Sequence, residues 1–324
     1  MREQLDSFAR QTRLPDELVV NDDCSTDDTV EIVRAFATQS PFPVRLYINS
    51  CNVGMASNFA LAIARCTGDI IFPSDCDDVW LPHKLAKVES EFSPKEVGIV
   101  LSNSALVDEH LRPLGRTLMK SSRLRSMRGR ATTRIDPPNF PGLPPFAGHA
   151  MAFRADCRPW ILPIPNAPAF SRGGWDTWIG CIVAAQASMV LIGEPLILYR
   201  QHANQNSGGG DLWTRAWLQR RLRESSSQYY LLRAQEAAVI HSQVIANGLS
   251  PKSRCAKFFA QRQRHFVARA RMRRMALGRV FLVLSEFMSR RYSYHSSGYL
   301  SVIKDLFLRY SENIPNDPEE YVRS

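Results

Sequence analysis

Three short apolar runs end in polar residues, acidic in the first and third, and a helical pattern follows each. The runs are ELVVNDD (residues 17–23), VRLYINS (44–50) and DIIFPSD (69–75). A strand covered on both faces reads as a continuous apolar stretch, and strand-helix alternation argues for a parallel sheet with helices on both faces. The S-x-x-D signature at Ser25 to Asp28 predicts a helix running to about Thr38. A second helix is expected over Asn52–Cys66, with Gly68 as its stop. Pro82 opens a third, placing Leu85, Val88 and Phe92 on one face. VGIVLSNSALV (97–107) continues the sheet. Residues 116–146, rich in Arg, Ser and Pro, read as a long loop. From Gly148 to Arg200 a strand is expected at HAMAF, a helix after Asp176, and strands at SMVLIG and PLILYR. Gly208, Gly209 and Gly210 read as a hinge before helical patterns at 211–247 and 252–291. The expected organisation is an α/β domain over 1–206 and a helical, basic extension over 207–324.

The seven cysteines form no CxxC pair and no zinc spacing, so a reducing, cytoplasmic setting fits better than a disulfide framework. The chain opens on a polar helical pattern rather than a secretory leader. No apolar run approaches the roughly 18 residues that span a bilayer. Net charge is +10, and it is local: Lys252 to Arg291 holds twelve Lys or Arg and one acid, Glu286, leaving the remainder near neutral. A local excess of this kind suggests an attachment surface rather than a nucleic-acid binder throughout.

The strongest local signal is Asp75-Cys76-Asp77-Asp78, directly after an apolar strand. Ligands of open α/β sheets bind outside the carboxyl ends of the strands. Two carboxylates on a turn there suit Mg²⁺ or Mn²⁺ held together with a diphosphate, and the cation neutralises charge on a departing nucleoside diphosphate. A plain solvated turn ahead of the Pro82 helix is the competing reading. The second cluster, Asn21-Asp22-Asp23, ends the first strand; it serves either a nucleotide base or the start of the next helix. Parallel strands place both clusters on one edge, an anionic crevice that is costly without a cation.

The segments LPDELVVNDDCSTDDTVEIV, NVGMASNFALAIARCTGDIIFPSDCDDVWLPHKL and EPLILYRQHANQ resemble bacterial family 2 glycosyltransferases, notably the rhamnosyltransferase-like ones, over about residues 1–206. The resemblance implies a GT-A fold, a Rossmann-like and mostly parallel sheet. It implies that Asp22 and Asp23 hold the base and ribose. Asp75 and Asp77 would meet ribose, diphosphate and metal, with Asp78 in support. Asp176 would be the base that takes the proton from an acceptor hydroxyl, with inversion at the anomeric carbon. His202 would reach the metal or diphosphate, and Trp175 and Trp178 would stack on a sugar. Asn52 and Gly54 stand at a helix N-terminus, which favours phosphate or sugar contact. For each, a structural reading stays open: Asp176 as a helix cap, His202 as a loop histidine, the two tryptophans as core, Asn52 and Gly54 as a tight turn.

The family pattern begins with an apolar interior strand before the helix that here opens the chain. Its absence would leave backbone groups unpaired inside the sheet. A start assigned too late is the favoured explanation, since the site acids are intact; a truncated, non-catalytic sugar-nucleotide-binding remnant is the alternative. Cys24 stands where the family usually has Gly and Cys76 where Gln is common; Cys24 falls in a turn that wants positive φ.

In the basic segment 252–291, Phe258, Phe259, Phe266, Met272 and Val280 fall at helical spacing. They either face an anionic membrane, which suits a lipid-linked acceptor, or pack on the protein. No nucleic-acid motif accompanies the charge. The overall expectation is an inverting, metal-dependent transferase. It would move a sugar, with rhamnose as the family's suggestion, from a nucleoside-diphosphate donor to a surface polysaccharide or lipid-linked saccharide.

Overall fold

The β-branched and apolar run Leu18–Val20 forms β1 (Leu18–Asp22), which pairs in parallel with β2 (Val44–Ile48). In this computed structural model, residues 1–121, 132–139, 146–166, 170, 174–201, 226–272, 278–296 and 298–307 are described. The chain divides into two compact units, Met1–Gly208 and Gly209–Ser324.

The first unit opens with α1 (Arg2–Ala9) and places α2 (Thr29–Ala37) between β1 and β2. It continues through α3 (Met55–Arg65), β3 (Ile70–Ile71), β4 (Val79–Trp80) and α4 (Lys84–Glu91). Then come β5 (Val97–Val107), β6 (Pro113–Thr117), α5 (Leu118–Ser121), β7 (Thr132–Ile135), β8 (Met151–Arg154), α6 (Arg158–Ile161), α7 (Trp175–Gln186) and β9 (Ser188–Arg200). The two longest ladders are parallel, β1 with β2 and β5 with β9. Shorter antiparallel pairings join β3 to β8, β8 to β5, β4 to β9, β6 to β5 and β7 to β9. Val97, Ile99, Val100 and Leu101 of β5 are buried, as are Met189 to Ile192 of β9 and Ile179 and Cys181 to Val183 of α7. Each such side chain contributes about 1.5–3 kcal/mol by leaving water.

The sequence expectations need several corrections. The stretch 116–146 is not wholly loop: Thr132–Ile135 is a strand on the edge of β9. The α2 helix starts at Thr29 with Asp28 as its N-cap residue; Ser25 instead donates its backbone N–H to Asp22 Oδ2 at 2.9 Å. The α4 face is as expected, with Leu85, Val88 and Phe92 all buried.

Strands β1 and β3 belong to different sheets, β1 at the edge of one and β3 at the edge of the other. A cavity of about 410 Å³ lies between them, lined by Leu18, Val19, Ile70, Ile71, Phe72 and Trp80 among others.

The second unit is helical: α8 (Ser227–Ala246), α9 (Arg254–Met272), α10 (Arg279–Met288), α11 (Arg291–His295) and α12 (Tyr299–Phe307). The 252–291 pattern is thus two helices, and Gly278 before α10 is left-handed at φ 85°. The predicted hinge Gly208–Gly210 and residues 211–225 lie outside the described residues.

Candidate active site

The acid loop Ser74–Asp78 links β3 to β4, and two distant residues fix its backbone. From α1, Gln4 Nε2 donates to Ser74 Oγ at 2.8 Å and to the Asp75 carbonyl. From the end of β9, Arg200 Nε donates to the Asp77 carbonyl at 2.9 Å, and its backbone N–H donates to Asp78 Oδ1 at 3.1 Å. Asp78 is fully buried, and its other oxygen, Oδ2, has no hydrogen-bond partner. Burial pushes the Asp78 carboxyl up to about 6, against the opposing pull of His149 and the Arg200 N–H.

His149 faces these acids from the 3₁₀ turn Gly148–Ala150 that leads into β8. Its Nε2 meets Ser104 Oγ at 3.1 Å, and its ring stacks on Tyr199 with centroids 4.3 Å apart. Nδ1 is 3.7 Å from Asp78 Oδ2 and 3.8 Å from Asp75 Oδ2. Buried Lys84 holds the turn from below: Nζ donates to the His149 carbonyl at 3.1 Å and lies 3.4 Å from the centre of the Trp80 ring. Burial drives the Lys84 ammonium well below its ordinary pKa, with Asp78 opposing. Gly148 is required on steric grounds, since a Cβ there would fall 2.3 Å from the Trp175 ring.

Asp176 lies in the first turn of α7, where Gly174 rather than Asp176 is the N-cap residue. Its Oδ1 accepts from the Thr177 N–H at 2.6 Å. Burial pushes its carboxyl up to about 7; the Thr177 and Gly148 backbone groups oppose the shift, and the charge of Asp75 adds to it.

Donor atoms of Asp75, Asp78 and His149 all lie within 4.8 Å of one another. Two carboxylates and an imidazole suit a hard divalent ion, and the imidazole widens the choice from Mg²⁺ toward Mn²⁺. The orphaned Asp78 Oδ2 and the Nδ1 facing it are the atoms such an ion would satisfy. One loop therefore supplies carboxylates, a second supplies imidazole, and a helix start supplies a carboxylate with a near-neutral pKa.

The profile of Glycosyl transferase family 2 matches residues 1–156. That stretch is a glycosyl transferase family 2 domain. An uncharacterized glycosyltransferase of Nostoc sp. is 26% identical over 206 residues, 62% of this chain and 61% of that protein. An uncharacterized protein of Mycobacterium tuberculosis is 36% identical over 89 residues, 27% of this chain and 26% of that protein. The alignments thus span less than two thirds of these relatives. Among solved structures, S. aureus TarS 1–349 in complex with UDP-GlcNAc aligns with a TM-score of 0.56 at 15% identity, covering 96% of this chain and 88% of that one. The mannosyltransferase PcManGT of Pyrobaculum calidifontis, in complex with GDP-Man and Mn²⁺, aligns with a TM-score of 0.50 at 19% identity, covering 94% and 82%. The fold is GT-A.

In this family 2 domain, Asp22 and Asp23 end β1, on the other sheet from β3. Asp22 is buried. Asp23 accepts from the backbone N–H of Val53 at 2.8 Å and of Gly54 at 3.0 Å, and from Asn49 Nδ2 at 2.9 Å. Burial disfavours its charge, but these donors outweigh it and hold the carboxyl below its ordinary pKa. Asn52 Nδ2 donates to the Asp23 carbonyl at 3.3 Å, and Gly54, at φ 84°, takes a backbone form that other residues rarely adopt. Asp23, Asn49, Asn52, Val53 and Gly54 form one hydrogen-bonded turn ahead of α3. Cys24, at φ 64°, sits in the left-handed region its position was expected to need.

One expectation is corrected. Trp175 and Trp178 do not present their faces to a sugar: they are 3% and 2% exposed. Trp175 stacks on Phe59 with centroids 3.8 Å apart, and Trp178 Nε1 donates to the Ile161 carbonyl at 2.8 Å. The indoles are large apolar surfaces, and core packing outcompetes solvent exposure. The described donor cluster also differs from the expected ligand pair. It contains Asp75, Asp78 and His149 rather than Asp77, and His202 lies outside the described residues. His149, Lys84, Arg200 and Gln4 were missed. The only sequence signal for His149 was a single histidine ahead of an apolar strand.

Proposed function

We propose that the chain is an inverting glycosyltransferase that takes a sugar from a nucleoside diphosphate and places it on a saccharide or lipid-linked saccharide hydroxyl. The observation that carries this reading is the grouping of Asp75, Asp78 and His149 around one point, with Asp176 close enough to Asp75 for their charges to repel.

The roles follow from the chemistry of each group. Asp75, Asp78 and His149 would hold Mg²⁺ or Mn²⁺, which supplies charge neutralisation for the leaving diphosphate. Asp176 accepts the proton of the acceptor hydroxyl as its oxygen bonds to the anomeric carbon and the bond to the diphosphate breaks. One displacement inverts the centre. Arg200 and Gln4 keep the acid loop in place through the Asp75 and Asp77 carbonyls, Ser74 Oγ and Asp78 Oδ1, and Asp78 Oδ2 and Asp75 Oδ2 face His149. The Asp23 turn is the place for the nucleoside, and Asp77 the place for ribose or diphosphate. Rhamnose from its thymidine diphosphate form is the donor the motif resemblance suggests; UDP-GlcNAc and GDP-Man are the donors named for the structural neighbours. The free state of all seven cysteines supports a cytoplasmic site of action. Among the described residues, no helix is long and apolar enough to cross a membrane.

One observation favours a second reading. The cavity between β1 and β3 separates the two sheets and reaches Ser74 of the acid loop, and a loosely supported loop suits a chain that binds sugar nucleotides without turning them over. Calorimetry with UDP, GDP and dTDP in the presence of Mn²⁺, followed by a turnover assay with the matching sugar nucleotides, separates the two. Binding with release of nucleoside diphosphate supports transfer, binding without release supports the second reading, and no binding of any nucleotide refutes both.

A further inference from the structure

Two helices of the second unit are apolar on both sides: Val283, Leu282, Val302 and Leu306 pack inward, and a second apolar stripe faces out. In α10 the inward residues include Glu286, which is 4% exposed and accepts from Arg291 and faces His265 Nδ1 at 2.7 Å. The outward residues of the same helix are Val280, Phe281, Leu284, Phe287 and Met288, with Phe281 and Met288 each 79% exposed. Their spacing of one, four, seven and eight residues places them on one stripe. In α12, Asp305 is fully buried and paired with Arg269 at 2.6 Å, while Tyr299, Ile303 and Phe307 form an outward stripe. The two stripes meet, since the Phe287 and Tyr299 rings lie 5.8 Å apart. A contiguous exposed apolar face of this kind marks an interaction surface.

The charge around it selects the partner. Between residues 248 and 307 the acidic side chains are Glu286 and Asp305, both buried. The charged groups that reach solvent there are cationic, with Lys252, Arg254, Lys257, Arg264, Arg271 and Arg290 exposed. Of the apolar stripe anticipated on the basic segment, Val280 takes part, whereas Phe259, Phe266 and Met272 of α9 are buried in the unit. We propose that α10 and α12 dock in the interfacial layer of an anionic lipid surface, with the apolar stripes in the acyl boundary and the surrounding Lys and Arg at the headgroups. Apolar burial together with cation–headgroup attraction is the requirement for a monotopic helix pair. The proposal is independent of sugar transfer by the first unit.

The test is co-sedimentation of the full chain with vesicles of phosphatidylcholine alone and of phosphatidylcholine mixed with phosphatidylglycerol, at low and high salt. The expected result is binding to the anionic vesicles that weakens with salt. Replacing Phe281→Ser, Met288→Ser and Phe307→Ser together should weaken it at least tenfold, with an unchanged circular dichroism spectrum and melting temperature. Arg290→Asn with Lys257→Gln should weaken binding at low salt and flatten its salt dependence, because fewer cations then meet the headgroups. Equal binding by the serine variant overturns the proposal. So does sedimentation equilibrium showing that these serines dissociate a dimer while vesicle binding persists, because the face would then join two copies. Tight, salt-sensitive binding to duplex RNA that the serine variant retains, with none to vesicles, overturns it as well.

Discussion

His149 Nδ1 faces the unpartnered Asp78 Oδ2 at 3.7 Å. That is too long for a hydrogen bond and a spacing that one cation coordinated by both atoms can span. The chain should bind Mn²⁺, and His149→Ala should weaken binding by at least about 10-fold, since losing a direct ligand costs no less than losing a group that orients one. Gly148→Ala should do the same without touching a donor, because its Cβ would strike Trp175 and displace the turn that carries His149. Mn²⁺ electron paramagnetic resonance titration reads both. Unchanged affinity in both variants removes His149 from the site.

Asp176 has its carboxyl pushed up to about 7, chiefly by burial and then by Asp75. A general base works in its ionised form, and for a pKa near 7 only about a tenth of the molecules are ionised at pH 6. Turnover should therefore rise roughly tenfold from about pH 6 to about pH 8, then level off. Asp176→Asn should lower turnover by orders of magnitude while leaving calorimetric donor binding in place. A variant that loses both equally shows Asp176 to be a binding residue.

The acids at strand ends were readable because a strand end is a local event: an apolar run and then Asp22–Asp23 or Asp75–Asp78. His149 was not, because its partners stand 71 and 74 residues earlier in the chain, and a single histidine carries no spacing of its own. Trp175 and Trp178 read equally well as ligand platforms or as core; only tertiary packing against Phe59 and Phe170 decided for core. The strand at Thr132–Ile135 has too few apolar residues to show a period of two and exists because β9 offers it an edge. The outward apolar stripes of α10 and α12 were hidden for a different reason. Amphipathic spacing states that one side is apolar, but not which side faces the core.

The cavity flanking β1 and β3 has a measurable consequence. Each strand is bonded along one edge only, and local opening is cheapest where few contacts and bonds resist it. In hydrogen exchange, amides of Val19 and Ile71 should exchange well before those of Ile99 and Leu101, which lie in the middle of the sheet between β8 and β9. Uniform protection across the four would show that the strand edges are closed in solution.

Arg269 and Asp305 tie the second unit together. The guanidinium donates to both carboxylate oxygens, at 2.6 and 3.1 Å, and also to Ser296 Oγ and Tyr230 Oη, each at 2.8 Å. Tyr292 donates to the same carboxylate at 2.8 Å. Both charges are out of water, so neither partner can be removed alone without leaving the other uncompensated. Asp305→Asn should cost about 3–5 kcal/mol in chemical denaturation, because the buried guanidinium loses its counter-charge. Replacing both partners with apolar residues, Arg269→Met and Asp305→Leu, should recover most of that loss, because desolvating two charges offsets much of their attraction. A single-site loss below about 1 kcal/mol would mean that water reaches the pair and the network is not what orders α12 against α9.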